Sequence, residues 1–210
     1  MRVDEHGVVQ RALKRGIDVL GASLMLCILS PILLAIAAAV RIDSSGPALF
    51  AHKRLGRNRR VFGCLKFRSM HADAERHLED DDLLREHYLR NHFKVPAHLD
   101  RRVTRLGRLL RKTSLDELPQ LWNVLLGHMS LVGPRPIVLD EGKHYGNRLD
   151  ELLAVRPGLT GAWAVQGRSR VGYPKRVEIE LRYVHAWTLA SDLLILLRTP
   201  AAVLSRRGAE

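Results

Sequence analysis

Two adjacent carboxylates, Asp116 and Glu117, stand in the stretch Thr113-Ser114-Leu115-Asp116-Glu117-Leu118-Pro119-Gln120. Directly before it runs a basic segment carrying Arg101, Arg102, Arg105, Arg108, Arg111 and Lys112. Acidic side chains in a cationic setting need a reason to be there. One reason is a divalent cation: a diphosphate substrate brings Mg²⁺, held by one or two carboxylates and by phosphate oxygens. Another is reaction, because a carboxylate near that metal can attack phosphorus and form an acyl phosphate. Chemistry alone does not separate nucleophile from metal ligand at this pair. The structural alternative is a helix start. Ser114 as N-cap with Glu117 three residues on makes a capping box, or Asp116 caps a helix that tolerates Pro119 in its first turn. Either leaves the second carboxylate unexplained.

A second motif follows at Val132-Gly133-Pro134-Arg135-Pro136. Its prolines fix the backbone and hold Arg135 on a stiff connection, which suits bidentate phosphate recognition. Such turns are also ordinary structural punctuation. Arg156-Pro157-Gly158-Leu159-Thr160-Gly161 and Gln166-Gly167-Arg168-Ser169 again set small residues beside an arginine. Glycine there lets backbone approach a ligand closely.

These residues need a scaffold, and the sequence begins it with an apolar segment. Val19 to Val40 is a run of 22 residues without a charge, long enough for the roughly 20 residues of a membrane-spanning helix. It lacks the cleavage site of a signal peptide. Ser30-Pro31 sits mid-run, and proline kinks or breaks a helix. The Ser30 hydroxyl can help satisfy the freed backbone. Both flanks are basic: Arg11, Lys14 and Arg15 before, Arg41, Lys53, Arg54, Arg57, Arg59 and Arg60 after. A broken helix that enters and leaves on one face satisfies the positive-inside rule at both ends; a kinked spanning anchor is the plainer alternative.

Asp43-Ser44-Ser45-Gly46-Pro47 should end that helix. Arg57-Asn58-Arg59 reads as a hairpin turn, with Val61 to Phe67 as the return strand. Residues 72–92 read as charged surface helices, and the histidines at 71, 77, 87, 92 and 98 lack a zinc spacing. Val103, Leu106, Leu109 and Leu110 give the segment Arg101 to Lys112 an apolar stripe, predicting a cationic amphipathic helix in a membrane interface. By charge alone it equally suits nucleic acid. A strand is expected near Leu159–Val165, and an amphipathic helix from about Ala190 to Leu204.

The 34 basic and 22 acidic residues leave a formal charge of +12, which calls for an anionic partner without choosing among nucleic acid, anionic lipid and phosphorylated small molecules. Aromatics make up 5% of the chain, which argues against a base-stacking surface. Cys27 and Cys64 make no disulfide framework and no metal spacing.

Several blocks together resemble the bacterial sugar transferase family, the monotopic polyprenyl-phosphate phosphoglycosyl transferases. They are Lys14-Arg15-Gly16-Ile17-Asp18, Ser30-Pro31, Lys66-Phe67-Arg68-Ser69-Met70, Thr113 to Leu121, Trp122-Asn123-Val124-Leu125, Met129 to Pro136 and Arg156 to Gly161. The likeness runs from about Lys14 to the C-terminus, in the family's order. It implies an α-rich α+β monotopic membrane protein: an N-terminal re-entrant helix broken at Ser30 and Pro31, interfacial amphipathic helices and a small β element. Residues 1–42 would be the membrane-embedded part, and residues 43–210 a catalytic domain continuous with it, facing the cytoplasm at the bacterial inner membrane. It implies that Asp116 is the nucleophile and that Asp116 and Glu117 support Mg²⁺. Lys66, Arg68, Arg111, Arg135, Arg156, Arg168 and Asp192 would surround the substrate phosphates and nucleotide. For Asp192, N-capping of the last helix is the alternative. The implied substrates are a UDP-sugar and polyprenyl (undecaprenyl) phosphate, with UMP released; the phospholipid membrane is a partner and nucleic acid is not. A homodimer is compatible with the sequence. Departures from the family pattern lie at Asp100-Arg101-Arg102 and Ala162 to Arg168, which bear on nucleotide and sugar contacts rather than on the dyad. The chain resembles a minimal catalytic unit, without the N-terminal multi-span region of larger members.

Overall fold

A computed structural model describes residues 7–71, 100–205 and positions 73, 74, 80, 85 and 86. The predicted surface helices of 72–92, with all but one of their histidines, fall almost wholly outside the described residues.

Helix α1 (Val8–Asp43) opens the chain, 36 residues long. Among the described residues it is the one helix long and apolar enough to cross a membrane. It ends at the expected turn, where Ser44 is extended. The helix continues through Pro31 without interruption, so the break expected at Ser30-Pro31 is not seen as a gap in helical structure. Pro31 has no N–H to give to the Cys27 carbonyl one turn back; the Ser30 hydroxyl donates to that oxygen instead, at 2.8 Å, which satisfies the acceptor that proline leaves free.

Strands β1 (Leu49–Leu55) and β2 (Val61–Phe67) form the predicted antiparallel hairpin, Phe50 opposite Lys66 and His52 opposite Cys64. Asn58 and Arg59 take positive φ in its turn. Helix α2 (Arg105–Thr113) starts at Thr104, whose hydroxyl accepts from the Gly107 N–H. Its Leu106 and Leu110 pack with Phe67 against Val40, Leu33, Ile36 and Ala37 of α1. Most of the stripe expected to face lipid is thus spent on the protein, leaving Leu109 exposed. Helix α3 (Gln120–Leu125) leads to β3 (Ser130–Val132). Helix α4 (Leu149–Leu153) lies in the crossover to β4 (Gly158–Thr160), which pairs with β3 in parallel. The strand expected at Leu159–Val165 stops at Thr160, and Ala162–Val165 is the short helix α5. Helices α6 (Lys175–His185) and α7 (Leu189–Leu204) complete the fold.

The largest core joins Ala22 of α1, Phe62 and Cys64 of the hairpin, Leu121 and Val124 of α3, Leu131 and Val132 of β3, and Tyr183, Val184, Trp187 and Ile195 of the last helices. The N-terminal part of α1 is fixed by polar ties. Asp18 accepts from the Leu131 N–H and the Ser130 hydroxyl, both at 2.9 Å. Arg15 donates to the Val124 and Leu125 carbonyls, and Lys14 to the Val132 carbonyl at 2.9 Å.

Candidate active site

The dyad sits on a backbone that changes direction twice within four residues. Ser114 takes a left-handed conformation (φ 58°, ψ 17°) and ends α2. Leu115–Glu117 then form one 3-10 turn, and Pro119 leads into α3. Neither capping arrangement considered from sequence occurs, since the Ser114 side chain caps nothing and α3 has no side-chain N-cap. A wide turn replaces a helix start and aims both carboxylates at one cationic basin.

Asp116 is buried, 6% exposed; the Glu117 side chain is 28% exposed. Lys66 Nζ lies 2.7 Å from Glu117 Oε1 and 3.8 Å from Asp116 Oδ2. Burial pushes the Asp116 carboxyl up to about 6; Lys66 opposes the rise and the neighbouring Glu117 charge adds to it. Burial would raise Glu117 too, but Lys66, Arg135 and Arg168 outweigh it and hold that carboxyl down at about 2. The two neighbours are shifted in opposite directions, Asp116 up by burial and Glu117 down by the surrounding cations.

Each cation arrives on a different element. Lys66 comes from β2. Its place depends on Asn123 of α3, a residue whose role the sequence did not reveal: Asn123 Oδ1 accepts from the Leu65 N–H and its amide donates to the Gly63 carbonyl, both at 2.8 Å. Arg111 comes from the last turn of α2, its Nε donating to Ser69 Oγ at 2.8 Å. Helix α2 lies hard against that segment, because a Cβ on Gly107 would stand 2.0 Å from the Ser69 carbonyl oxygen. Arg168, itself at positive φ, donates to Ser114 Oγ at 3.1 Å. Its charge reaches Glu117, as does that of Arg135.

The turn holding Arg135 is saturated with backbone partners. Gly133 N–H donates to Thr160, Pro134 O accepts from Gly158, Pro136 O accepts from Arg54, and the Arg135 N–H donates to Glu180 Oε1 at 3.0 Å. Glu180 is fully buried and also receives the Tyr145 hydroxyl and Arg176. The signal for it in the sequence was faint: an Arg176–Glu180 pair four residues apart on an otherwise apolar helix face.

Three expected site residues lie elsewhere. Arg68 donates to the carbonyls of Val40 and Ser44 and to Ser44 Oγ. Carbonyls at the C-terminus of a helix attract cations. Arg156 donates to the Gly127 carbonyl at 2.8 Å, in the turn between α3 and β3. Asp192 receives Lys14 at 2.5 Å, Tyr183 OH at 2.7 Å and Trp187 Nε1 at 2.9 Å. It is not the cap of α7 either; Thr188 accepts from the Ser191 N–H.

The sequence is matched by known proteins. The bacterial sugar transferase family model covers residues 9–206, and the chain belongs to that family of enzymes. It is 45% identical over 203 residues to an undecaprenyl-phosphate galactose phosphotransferase of Salmonella typhimurium, and 43% identical over 203 residues to a UDP-galactose-lipid carrier transferase of Erwinia amylovora. Each alignment covers 95% of this chain and 42% of the relative, so the chain spans less than half the length of these two proteins. The exopolysaccharide production protein ExoY of Rhizobium meliloti is 43% identical over 202 residues, with 93% of this chain and 87% of the relative covered.

Proposed function

We propose that the protein transfers a sugar 1-phosphate from a UDP-sugar to polyprenyl (undecaprenyl) phosphate through a phosphosugar–aspartate intermediate, the membrane step that opens polysaccharide or glycoconjugate assembly. The observation that carries this is the split dyad: a buried, poised Asp116 beside a permanently ionised Glu117, among Lys66, Arg111, Arg135 and Arg168. That basin fits a diphosphate, and the names of the relatives fit the lipid phosphate acceptor.

In the first half, an Asp116 carboxylate oxygen attacks the phosphorus that bears the sugar. The bond from that phosphorus to the UMP oxygen breaks, and UMP leaves with the electron pair. In the second half, an oxygen of polyprenyl phosphate attacks the same phosphorus. The acyl phosphate bond breaks, restoring Asp116 and giving polyprenyl diphosphosugar. The cations stabilise the charge that grows on the leaving oxygens. Asp116 and Glu117 are the groups that would hold Mg²⁺, with Glu117 the readier ligand because it stays ionised. When bound, the ion supplies charge neutralisation at the diphosphate.

The membrane reading belongs with this. At 1.5 Å per residue α1 is about 54 Å long, against a hydrocarbon core of about 30 Å. Its N-terminal part is tied to β3, α3 and α7, and its C-terminal part to Phe67, Leu110 and Arg68. One compact body grips both halves, which suits a helix that enters and leaves one face of the inner membrane with its bend at Ser30-Pro31. Exposed Leu109, Trp122 and Leu126 then meet the interface, and the catalytic face looks into the cytoplasm.

The test is UMP release from a panel of UDP-sugars, with nanodisc-held protein, undecaprenyl phosphate and Mg²⁺. UMP should appear with at least one donor and fall by at least about 10³-fold in Asp116→Asn. Unchanged turnover in that variant removes Asp116 as nucleophile. Silence with every donor removes the reaction.

A further inference from the structure

The four cations of the basin account for phosphate but not for a hexose, which carries hydroxyls and no charge. The hairpin supplies a neutral group. Residues paired across antiparallel strands share a face, so Phe50, His52 and Arg54 of β1 stand on the face of the sheet that carries Lys66 to the dyad. Phe50 lies directly opposite Lys66 and is 51% exposed. Its ring centre is 6.0 Å from that of His52.

His52 has a defined tautomer. Its Nδ1 is 3.1 Å from Arg54 Nη2. A guanidinium only donates, so Nδ1 accepts and the ring proton sits on Nε2. Arg54 is itself fixed by the Pro136 carbonyl at 3.1 Å and by Glu141 at 3.6 Å. Burial, with the positive neighbours Arg54 and Lys66, pushes the imidazole down to about 4. The ring is therefore a neutral donor at physiological pH.

We propose that Phe50 and His52 form the wall against which the transferred sugar lies: His52 Nε2–H donates to a sugar hydroxyl, and the Phe50 ring covers an apolar face of the hexose. This rests on the reaction proposed above and assigns its sugar subsite.

Binding separates the wall from the chemistry. Full-length protein carrying Asp116→Asn, held in nanodiscs with Mg²⁺, is titrated with UDP, UDP-glucose and UDP-galactose. At least one sugar nucleotide should bind more tightly than UDP. His52→Ala should weaken that ligand about fivefold to tenfold and leave UDP within about twofold, the size expected for one neutral hydrogen bond. Phe50→Ala should weaken it by a similar factor, and His52→Gln, whose amide donates from nearly the same place, should recover part of the loss. The UDP affinity also reports that each variant is folded. Parallel weakening of UDP would place His52 on the diphosphate and overturn the proposal. Unchanged affinities, or no gain for either sugar nucleotide over UDP with the wall intact, would overturn it as well. If the protein with Asp116 intact released no UMP, the reaction would fall while these affinity ratios still judged the wall.

Discussion

Asp116 and Glu117 are neighbours in the chain and opposites in environment. In the proposed reaction Asp116 must be ionised to attack, and burial pushes its carboxyl up to about 6. The kcat/KM of the half-reaction that releases UMP should therefore fall as pH drops through about 6, following one ionisation on the acid side. A flat profile between pH 5 and 8 would show that Asp116 is not the titrating nucleophile. The same shift has a stability side. A carboxyl raised above its ordinary value of 3.8 destabilises the fold wherever it is ionised. The penalty is absent below about 3.8 and complete above about 6. Asp116→Asn removes it, so this variant should be the more stable one at pH 7, on the order of 3 kcal/mol, seen as a higher Tm. At this scale the sequence was legible where charge types crowd together: the dyad, Lys66, Arg111, Arg135 and Arg168, picked out from motifs, are brought to one place by the fold. Arg68, Arg156 and Asp192 lie outside that cluster, and sequence alone does not show whether a cation meets a phosphate or a backbone carbonyl. Which one it meets is decided by elements far away in the chain.

The elements that aim these residues depend on a few buried polar contacts. Asn123, 2% exposed, holds α3 to β2 through two hydrogen bonds that span about sixty residues of sequence. Asn123→Ala leaves the Leu65 N–H and the Gly63 carbonyl without these partners. It should cost about 2–4 kcal/mol in chemical denaturation and lower activity, since Lys66 lies next along the strand. Stability lost with full activity retained would separate the two roles. The turn of the hairpin and its return strand were readable because a β-rich run follows Arg57-Asn58-Arg59; the bounds of the first strand were not. The helix α2 was readable from its periodicity, but not its surroundings. An amphipathic stripe shows that a face will be buried; whether lipid or protein covers it is a tertiary matter, and here Phe67 and α1 cover most of it.

At the scale of the whole molecule, α1 governs placement. A re-entrant helix presents both ends to one side. Single cysteines at positions 11 and 41, in a background of Cys27→Ser and Cys64→Ser, should both react with a membrane-impermeant thiol reagent in inside-out vesicles and neither in right-side-out ones. Labelling from opposite sides would make α1 a spanning helix. The apolar run and its basic flanks were plain in the sequence. The grip of one domain on both halves was not, because it needs Asp18 to find Leu131 and Arg68 to find Val40.

The contact between Lys14 and Asp192 joins residues 178 positions apart. During synthesis at about 5–20 residues per second, some 10–40 s separate the two. Asp18 meets its donors Ser130 and Leu131 part-way through that interval, while Lys14 waits to its end for the Asp192 carboxylate. That last tie closes only when α7 emerges, so a nascent chain stalled before α7 would hold an assembled dyad turn on a helix fastened through Arg15 and Asp18 but lacking the Lys14–Asp192 contact.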